Sequence, residues 1–167
     1  MHSFDQSRVR HVLVADDDRN DFLLVQLAFQ KAGLSVTLTQ VLDGQQAVDY
    51  LTASRQFKER TGKPVPDLLL LDLKMPLMDG FDVLTFLKKH PSLHSLPVVV
   101  LSASQIEDDI ARALKLGASD FLTKPADFGD LVNMVRALFE RWLASGNQNK
   151  NVGEERPVQS QRPAAGR

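Results

Sequence analysis

Two uninterrupted apolar runs constrain what this chain can fold into. The first is Leu68–Leu71, enclosed by Asp67 and Asp72, and the second is Val98–Leu101, which follows Pro97. A continuous apolar run of this kind is typical of a strand that is buried on both faces. Such strands occur mainly in parallel sheets that are covered by helices on either side.

Short strands alternate with helical patterns along the rest of the chain. Further strands are predicted at 11–15, 36–41 and 119–123. Helices are predicted at 20–32, at 45–57, from Asp79-Gly80 onwards, after a capping box formed by Ser104 and Glu107, and at 127–143. Five strands alternating with five helices predict a (βα)5 α/β fold with a doubly wound, five-stranded parallel sheet.

The composition changes near Ser145, beyond which large apolar residues are scarce. A segment of this kind cannot bury enough apolar surface to offset the entropy lost on ordering. We therefore predict a disordered N-terminus at 1–8, one folded domain at 9–144 and a flexible polar tail at 145–167.

Composition excludes several classes of function. The 167 residues carry a net charge of -1, which argues against a strongly basic nucleic-acid binder. The chain has no cysteine, so disulfides, Cys-ligated zinc and Cys nucleophiles are excluded. Apolar runs are too short to span a membrane, and the N-terminus has no apolar signal core. We expect a cytoplasmic protein that binds neither nucleic acid nor membranes.

Charged and hydroxyl side chains follow four of the predicted strands. They are Asp16-Asp17-Asp18, Asp72, Ser102 and Lys124. In parallel sheets of this class, ligands bind at the carboxyl ends of the strands, so these side chains are expected to meet. Clustered carboxylates repel unless a cation lies among them, and Mg2+ prefers oxygen ligands. The set predicts a Mg2+ site that tolerates a dianionic group on or near one carboxylate.

At these positions the sequence resembles the receiver domain of two-component response regulators, a flavodoxin-like or CheY-like fold. The motifs that carry the resemblance are Asp16-Asp17, Asp72 with Pro76 and Asp79-Gly80, Ser102-Ala103, and Phe121 through Lys124-Pro125. The resemblance covers about 9–143. The long stretch 52–66 is similar to that of stand-alone receivers that work with phytochrome-type sensor kinases.

The resemblance implies a role for each residue of the set. Asp72 would accept a phosphoryl group from a sensor histidine kinase. Asp17, Asp72 and the backbone carbonyl of Lys74 would bind Mg2+ directly, and Asp16 would hold a metal-bound water. Lys124 would pair with the phosphoryl oxygens.

The resemblance also implies a conformational switch. Ser102 would bind the phosphoryl group and move on activation, and Phe121 would swing inward behind it. The Lys124–Pro125 peptide would be cis. The protein would then be a signalling phosphoacceptor rather than an enzyme. No output module is expected after Leu143, so the output would be a downstream protein partner, a phosphorelay step or self-association.

Other interpretations of the same residues stay open. Asp16–Asp18 could be helix N-terminal acids favoured by the macrodipole, and Phe121 could be inert core packing. The apolar residues at 138–143 could be core or the interface of a homodimer. The chain could be an adaptor that is never phosphorylated, or a hydrolase with an aspartyl phosphate intermediate. Lys74 counts against the hydrolase, since such enzymes carry an acid there.

Overall fold

The structure is a computed structural model that describes residues 8–144. The expectations for residues 1–7 and for the tail at 145–167 lie outside the described residues. Arg8 is the first residue described, and its guanidinium pairs with the carboxylate of Asp67. No helix between Arg8 and Ala144 is both long and apolar enough to cross a membrane.

The predicted alternation of strands and helices is confirmed. The strands are β1 (Arg10–Ala15), β2 (Val36–Val41), β3 (Leu68–Leu71), β4 (Val98–Ser102) and β5 (Asp120–Thr123). The helices are α1 (Arg19–Lys31), α2 (Gly44–Leu51), α3 (Gly80–Lys88), α4 (Glu107–Lys115) and α5 (Phe128–Leu138). All strand pairs are parallel, in the order β2-β1-β3-β4-β5.

The apolar run that forms β3 contributes to both faces of the sheet. Leu69 and Leu71 belong to the core under α2 and α3, whereas Leu68 and Leu70 belong to the core under α1 and α5. Each of the four leucines is at most 1% exposed. Burial on both faces explains why this strand shows no alternation of polar and apolar residues.

The segment that follows α2 differs from the prediction of a helix running to Phe57. The helix ends at Leu51, and Ala53 has a positive φ of 51°, which α-helix does not allow. A short 3-10 helix then spans Arg55–Arg60. Beyond it, residues 61–65 are exposed, and Gly62 has a φ of +79°.

Arg60 anchors this segment to the sheet. Its guanidinium lies 3.8 Å from the centre of the Tyr50 ring and donates a hydrogen bond of 2.7 Å to the Tyr50 hydroxyl. That hydroxyl also lies 3.1 Å from Nε2 of His11 in β1. The contacts place the anchor at the amino end of the sheet, away from the strand ends that carry the acidic residues.

The start of α4 also differs from the prediction. The N-cap is Ile106, and the Ser104 hydroxyl donates a 2.6 Å hydrogen bond to Oδ2 of Asp109. The capping box predicted for Ser104 and Glu107 is therefore wrong. Its residue spacing is correct, but the helix begins later than the pattern indicated, so the Ser104 hydroxyl binds a side chain of the first turn.

Most apolar residues at the end of the last helix pack into the core. The chain continues from α5 into a π-helical turn at Phe139–Leu143. Leu138 and Leu143 are 3% and 1% exposed, and Phe139 and Trp142 pack against the same cluster while remaining half-buried. Core packing therefore explains most of this apolar surface.

Candidate functional site

Three carboxylates meet at the carboxyl edge of the sheet, as predicted. Asp16 and Asp17 follow β1, and Asp72 follows the neighbouring β3. The Asp72 backbone N–H donates to the Ala15 carbonyl oxygen at 2.9 Å, which aligns the two strand ends. One carboxylate oxygen from each of the three acids lies within 4.8 Å of the others. Asp16 and Asp72 are buried, whereas Asp17 is exposed.

Lys124 joins this cluster from the end of β5. Its backbone N–H donates to the Ser102 carbonyl oxygen at 2.8 Å, which fixes the position of the residue. Its ammonium group, Nζ, donates to Oδ2 of Asp16 at 2.8 Å and to Oδ2 of Asp72 at 3.0 Å. The predicted set Asp16, Asp17, Asp72 and Lys124 is thus brought together.

A fourth carboxylate, which the sequence did not single out, also contacts this lysine. Asp21, in the first turn of α1, accepts a hydrogen bond from Nζ of Lys124 at 2.8 Å. Its side chain is 36% exposed, against 7% for Asp16. An acid in a first helical turn is ordinarily explained by the macrodipole, so its sequence position gave no signal of this contact.

Burial and charge act in opposite directions on the pKa values of the site. Burial raises the pKa of Asp16, against the lowering effect of its hydrogen bonds with Lys124 and with the backbone N–H of Asp18. Burial would lower the pKa of Lys124, but hydrogen bonds to Asp16 and Asp21 and the charge of Asp72 outweigh it and raise that pKa. Lys124 is therefore a fixed positive charge at neutral pH.

Ser102 and Phe121 lie beside the cluster and not within it. Ser102 is 1% exposed, and its hydroxyl oxygen accepts from the backbone N–H of Ser104 at 3.3 Å. Phe121 pairs with Val100 in the β4–β5 register and packs, partly buried, against the core under α2 and α3. Their switching roles stay predictions.

The loop after Asp72 is held by close backbone packing. The Lys74 backbone N–H lies 3.4 Å from Oδ1 of Asp72, so this peptide borders the carboxylate, while the Lys74 side chain is exposed. A Cβ on Gly80 would lie 2.4 Å from the Asp72 carbonyl oxygen, which leaves no room for a side chain. Leu77, between them, is 90% exposed and has a φ of +64°.

The prediction of a cis peptide between Lys124 and Pro125 is wrong. No peptide bond in the described stretch is cis. The trans form is favoured even before proline, by about 0.5–1 kcal/mol, unless tertiary contacts demand otherwise. Here the Lys124 ammonium reaches Asp16 and Asp72 with the trans peptide in place.

Comparison with known families settles what kind of domain this is. A family model described as "Response regulator receiver domain" matches residues 12–136. The chain belongs to the response regulator receiver domain family. It is therefore a receiver-domain response regulator of two-component signalling. Domains of this family act as phosphoacceptors in signalling.

Of three similar proteins, two carry names that refer to red light or to a phytochrome. "Response regulator Rcp1" of Synechocystis sp. is 36% identical over 132 residues, which cover 79% of this chain and 88% of that protein. The crystal structure of "response regulator RPA3017 in red light signaling of R. palustris" has a TM-score of 0.75 and 36% identity, covering 81% of this chain and 94% of that one. The "Phosphorylated Cyanobacterial Phytochrome Response Regulator RcpA" has a TM-score of 0.74 and 34% identity, covering 81% and 95%.

The donor set of this chain fits a hard divalent cation. Carboxylate oxygens are the ligands that Mg2+ prefers, and three of them lie close together here. A structure titled the "Mn(2+)-bound form of response regulator Rcp1" superposes on the chain with a TM-score of 0.71 and 34% identity, covering 80% of this chain and 94% of that one.

Proposed function

We propose that the chain accepts a phosphoryl group on Asp72 in a Mg2+-dependent reaction and transmits the signal to a protein partner. The observation that carries this proposal is the Lys124 ammonium, which bonds at once to the buried carboxylates of Asp16 and Asp72. In this proposal residues 9–144 form the receiver unit.

Phosphoryl transfer to Asp72 needs a phosphohistidine and no other reactant. A carboxylate oxygen of Asp72 forms a bond to phosphorus as the P–N bond of a phosphohistidine breaks. The electron pair of that bond returns to the imidazole nitrogen. The other ring nitrogen carries a proton, so the leaving group is neutral imidazole and the product is an acyl phosphate. Lys124 provides a positive charge beside the oxygen that reacts, which phosphoryl transfer needs more than covalent assistance.

Asp16, Asp17 and Asp72, with the backbone carbonyl of Lys74, would hold the Mg2+ ion. When bound, the ion supplies positive charge that offsets the repulsion between carboxylates and the incoming phosphoryl group. Asp17 is exposed, which leaves its side of the cluster open to solvent.

The acyl phosphate adds close to two negative charges and new acceptor oxygens. Ser102 can turn its hydroxyl from the Ser104 N–H toward a phosphoryl oxygen, a contact that exists only in the modified state. A contact present in one state alone is what shifts a conformational equilibrium. Movement of Phe121 toward the space that Ser102 vacates would carry the change to the surface.

The proposed phosphodonor is a sensor histidine kinase of the phytochrome type. The names of the similar proteins RcpA and RPA3017 support this class of kinase. A homodimer through the last helix stays a prediction, and it would use the exposed parts of Phe139 and Trp142.

Incubation with Mg2+ and acetyl phosphate, followed by mass spectrometry of the intact protein, tests the proposal. We expect a gain of one phosphoryl group that hydroxylamine removes, and no gain in Asp72→Asn or without Mg2+. Asp79→Asn is the matched control, since Asp79 caps α3 at the far end of the same loop. An unmodified wild-type protein, as expected for an adaptor, would contradict the proposal, as would a gain that persists in Asp72→Asn.

A further inference from the structure

The Lys124 ammonium has three N–H donors, and carboxylates use all three. They go to Asp16 at 2.8 Å, Asp21 at 2.8 Å and Asp72 at 3.0 Å. A lysine ammonium has no fourth proton to offer. In the proposed phosphorylated state, Asp72 carries the phosphoryl group and can pass its own hydrogen bond to it. The phosphoryl group can then receive a second hydrogen bond from Lys124 only after Asp16 or Asp21 gives up its own.

We propose that Asp21 is this exchangeable partner, a positioning residue that holds Lys124 in the unmodified state and thereby opposes phosphorylation of Asp72. This inference rests on the proposed function. Asp21 would compete directly with the phosphoryl group for one donor of the lysine, and its negative charge would repel that group. Asp21 thus sets the balance between the unmodified and modified states.

Local structure explains why the Asp21 carboxylate is available to Lys124. Asp21 is the third residue of α1, where an acid ordinarily bonds back to the N–H of the N-cap residue. In α3 this happens, because Asp82 accepts from the N–H of Asp79 at 3.1 Å. In α1 the N-cap N–H, that of Asp18, is bonded to Oδ1 of Asp16 at 2.9 Å. The Asp21 side chain therefore turns to Lys124.

Exposure decides which of the two other carboxylates, Asp16 or Asp21, gives up its hydrogen bond. The Asp16 side chain is 7% exposed, so it would be left buried and charged without the lysine. Such a loss is costly, whereas a group in contact with water is rehydrated. Asp21 is 36% exposed, and water can replace the ammonium there.

Replacing Asp21 should shift two affinities in opposite directions. In Asp21→Asn the lysine is held less firmly and the repulsion of the phosphoryl group falls. Binding of the phosphoryl mimic beryllofluoride at saturating Mg2+ should then tighten about 3- to 10-fold, the range for one partly exposed charged hydrogen bond. Binding of Mg2+ alone should weaken, because the site loses a negative charge.

Fluorine NMR titration for beryllofluoride and calorimetry for Mg2+ measure both affinities on the full chain. Asp108→Asn is the matched control, since it removes an exposed acid from the first turn of α4 at the same edge of the sheet. It should leave both affinities within about twofold of wild type, as expected for a screened surface charge. Asp21→Glu keeps the charge, so its affinities for beryllofluoride and Mg2+ should be closer to those of wild type.

Each outcome bears on the inference. A merely structural role for Asp21 would weaken both affinities together, and that result would overturn it. Unchanged beryllofluoride binding in Asp21→Asn would also overturn the inference, but it would not contradict the proposed phosphorylation of Asp72. Failure of the wild-type protein to bind beryllofluoride would overturn the proposed function, and this inference with it.

Discussion

Replacement of Lys124 by methionine tests whether one ammonium group holds the acidic cluster together. The side chain is 20% exposed, and the Asp16 and Asp72 side chains that it bridges are 7% and 10% exposed. Methionine has a similar length and no charge, so the two carboxylates would face each other without a partner. The folded state, rather than the unfolded chain, bears this repulsion.

The expected loss of stability follows from these exposures. Removing one partner of a buried ion pair costs about 3–5 kcal/mol. Lys124 retains some contact with water and Asp21 can be rehydrated, so we expect Lys124→Met to lower the free energy of unfolding at neutral pH by about 2–3 kcal/mol, below that range. The deficit should shrink in acid, because protonation removes the repulsion and burial already raises the pKa of Asp16.

Magnesium should reverse much of this loss if the cluster binds it. An ion that binds only the folded state stabilises it, and each tenfold gain in affinity adds about 1.4 kcal/mol at saturation. The variant has one more net negative charge at the site than wild type. We therefore expect Mg2+ to stabilise Lys124→Met more than wild type.

Urea unfolding followed by circular dichroism, with and without Mg2+, measures these differences. Lys89→Met serves as the control, because Lys89 is exposed at the end of α3. A change in Lys124→Met of no more than about 0.5 kcal/mol, the range of ordinary surface substitutions, would refute the reasoning. Equal stabilisation of both proteins by Mg2+ would refute the expectation that Mg2+ stabilises Lys124→Met more than wild type.

Three further substitutions probe the backbone and the far end of the sheet. Leu77→Gly should stabilise the fold by about 0.5–1 kcal/mol in urea unfolding, since glycine relieves the positive φ of an exposed residue; a loss would contradict this. Gly80→Ala should cost about 1–3 kcal/mol and slow acetyl phosphate labelling, because the new Cβ meets the Asp72 carbonyl; an unaltered variant would show that the loop yields. Burial and the charge of Arg60 lower the pKa of His11, so the unfolded state binds more protons than the folded state and wild-type stability should fall below about pH 6.5. A His11→Gln variant with the same pH profile would exclude His11 as the cause.

Sequence alone predicted the sheet and its edge because both depend on strong local signals. Continuous apolar runs identified β3 and β4, and polar residues after the strands identified Asp16, Asp72 and Lys124. Strand ends in a parallel sheet share one edge, so no knowledge of side-chain packing was needed to group these residues.

What the sequence could not predict depends on contacts between distant elements. The contact of Asp21 with Lys124 requires α1 and the end of β5 to meet, across 103 positions of sequence separation. The early end of α2 follows from Ala53 adopting a positive φ, a conformation that alanine does not signal. The Ser104 and Glu107 pattern was overridden because α4 begins after Ile106, so the Ser104 hydroxyl donates to Asp109 and does not cap the helix.

The anchoring of Arg60 on Tyr50 has a practical consequence for following this domain in solution. The anchor lies near His11 at one end of β1, and the acidic cluster begins at Asp16 at the other, about 16 Å along the strand at the usual rise per residue. The exposed residues 61–65 follow directly after that anchor. A fluorophore or short peptide inserted after Gly62 would therefore report on the domain without contacting the acidic cluster at the opposite end of the sheet.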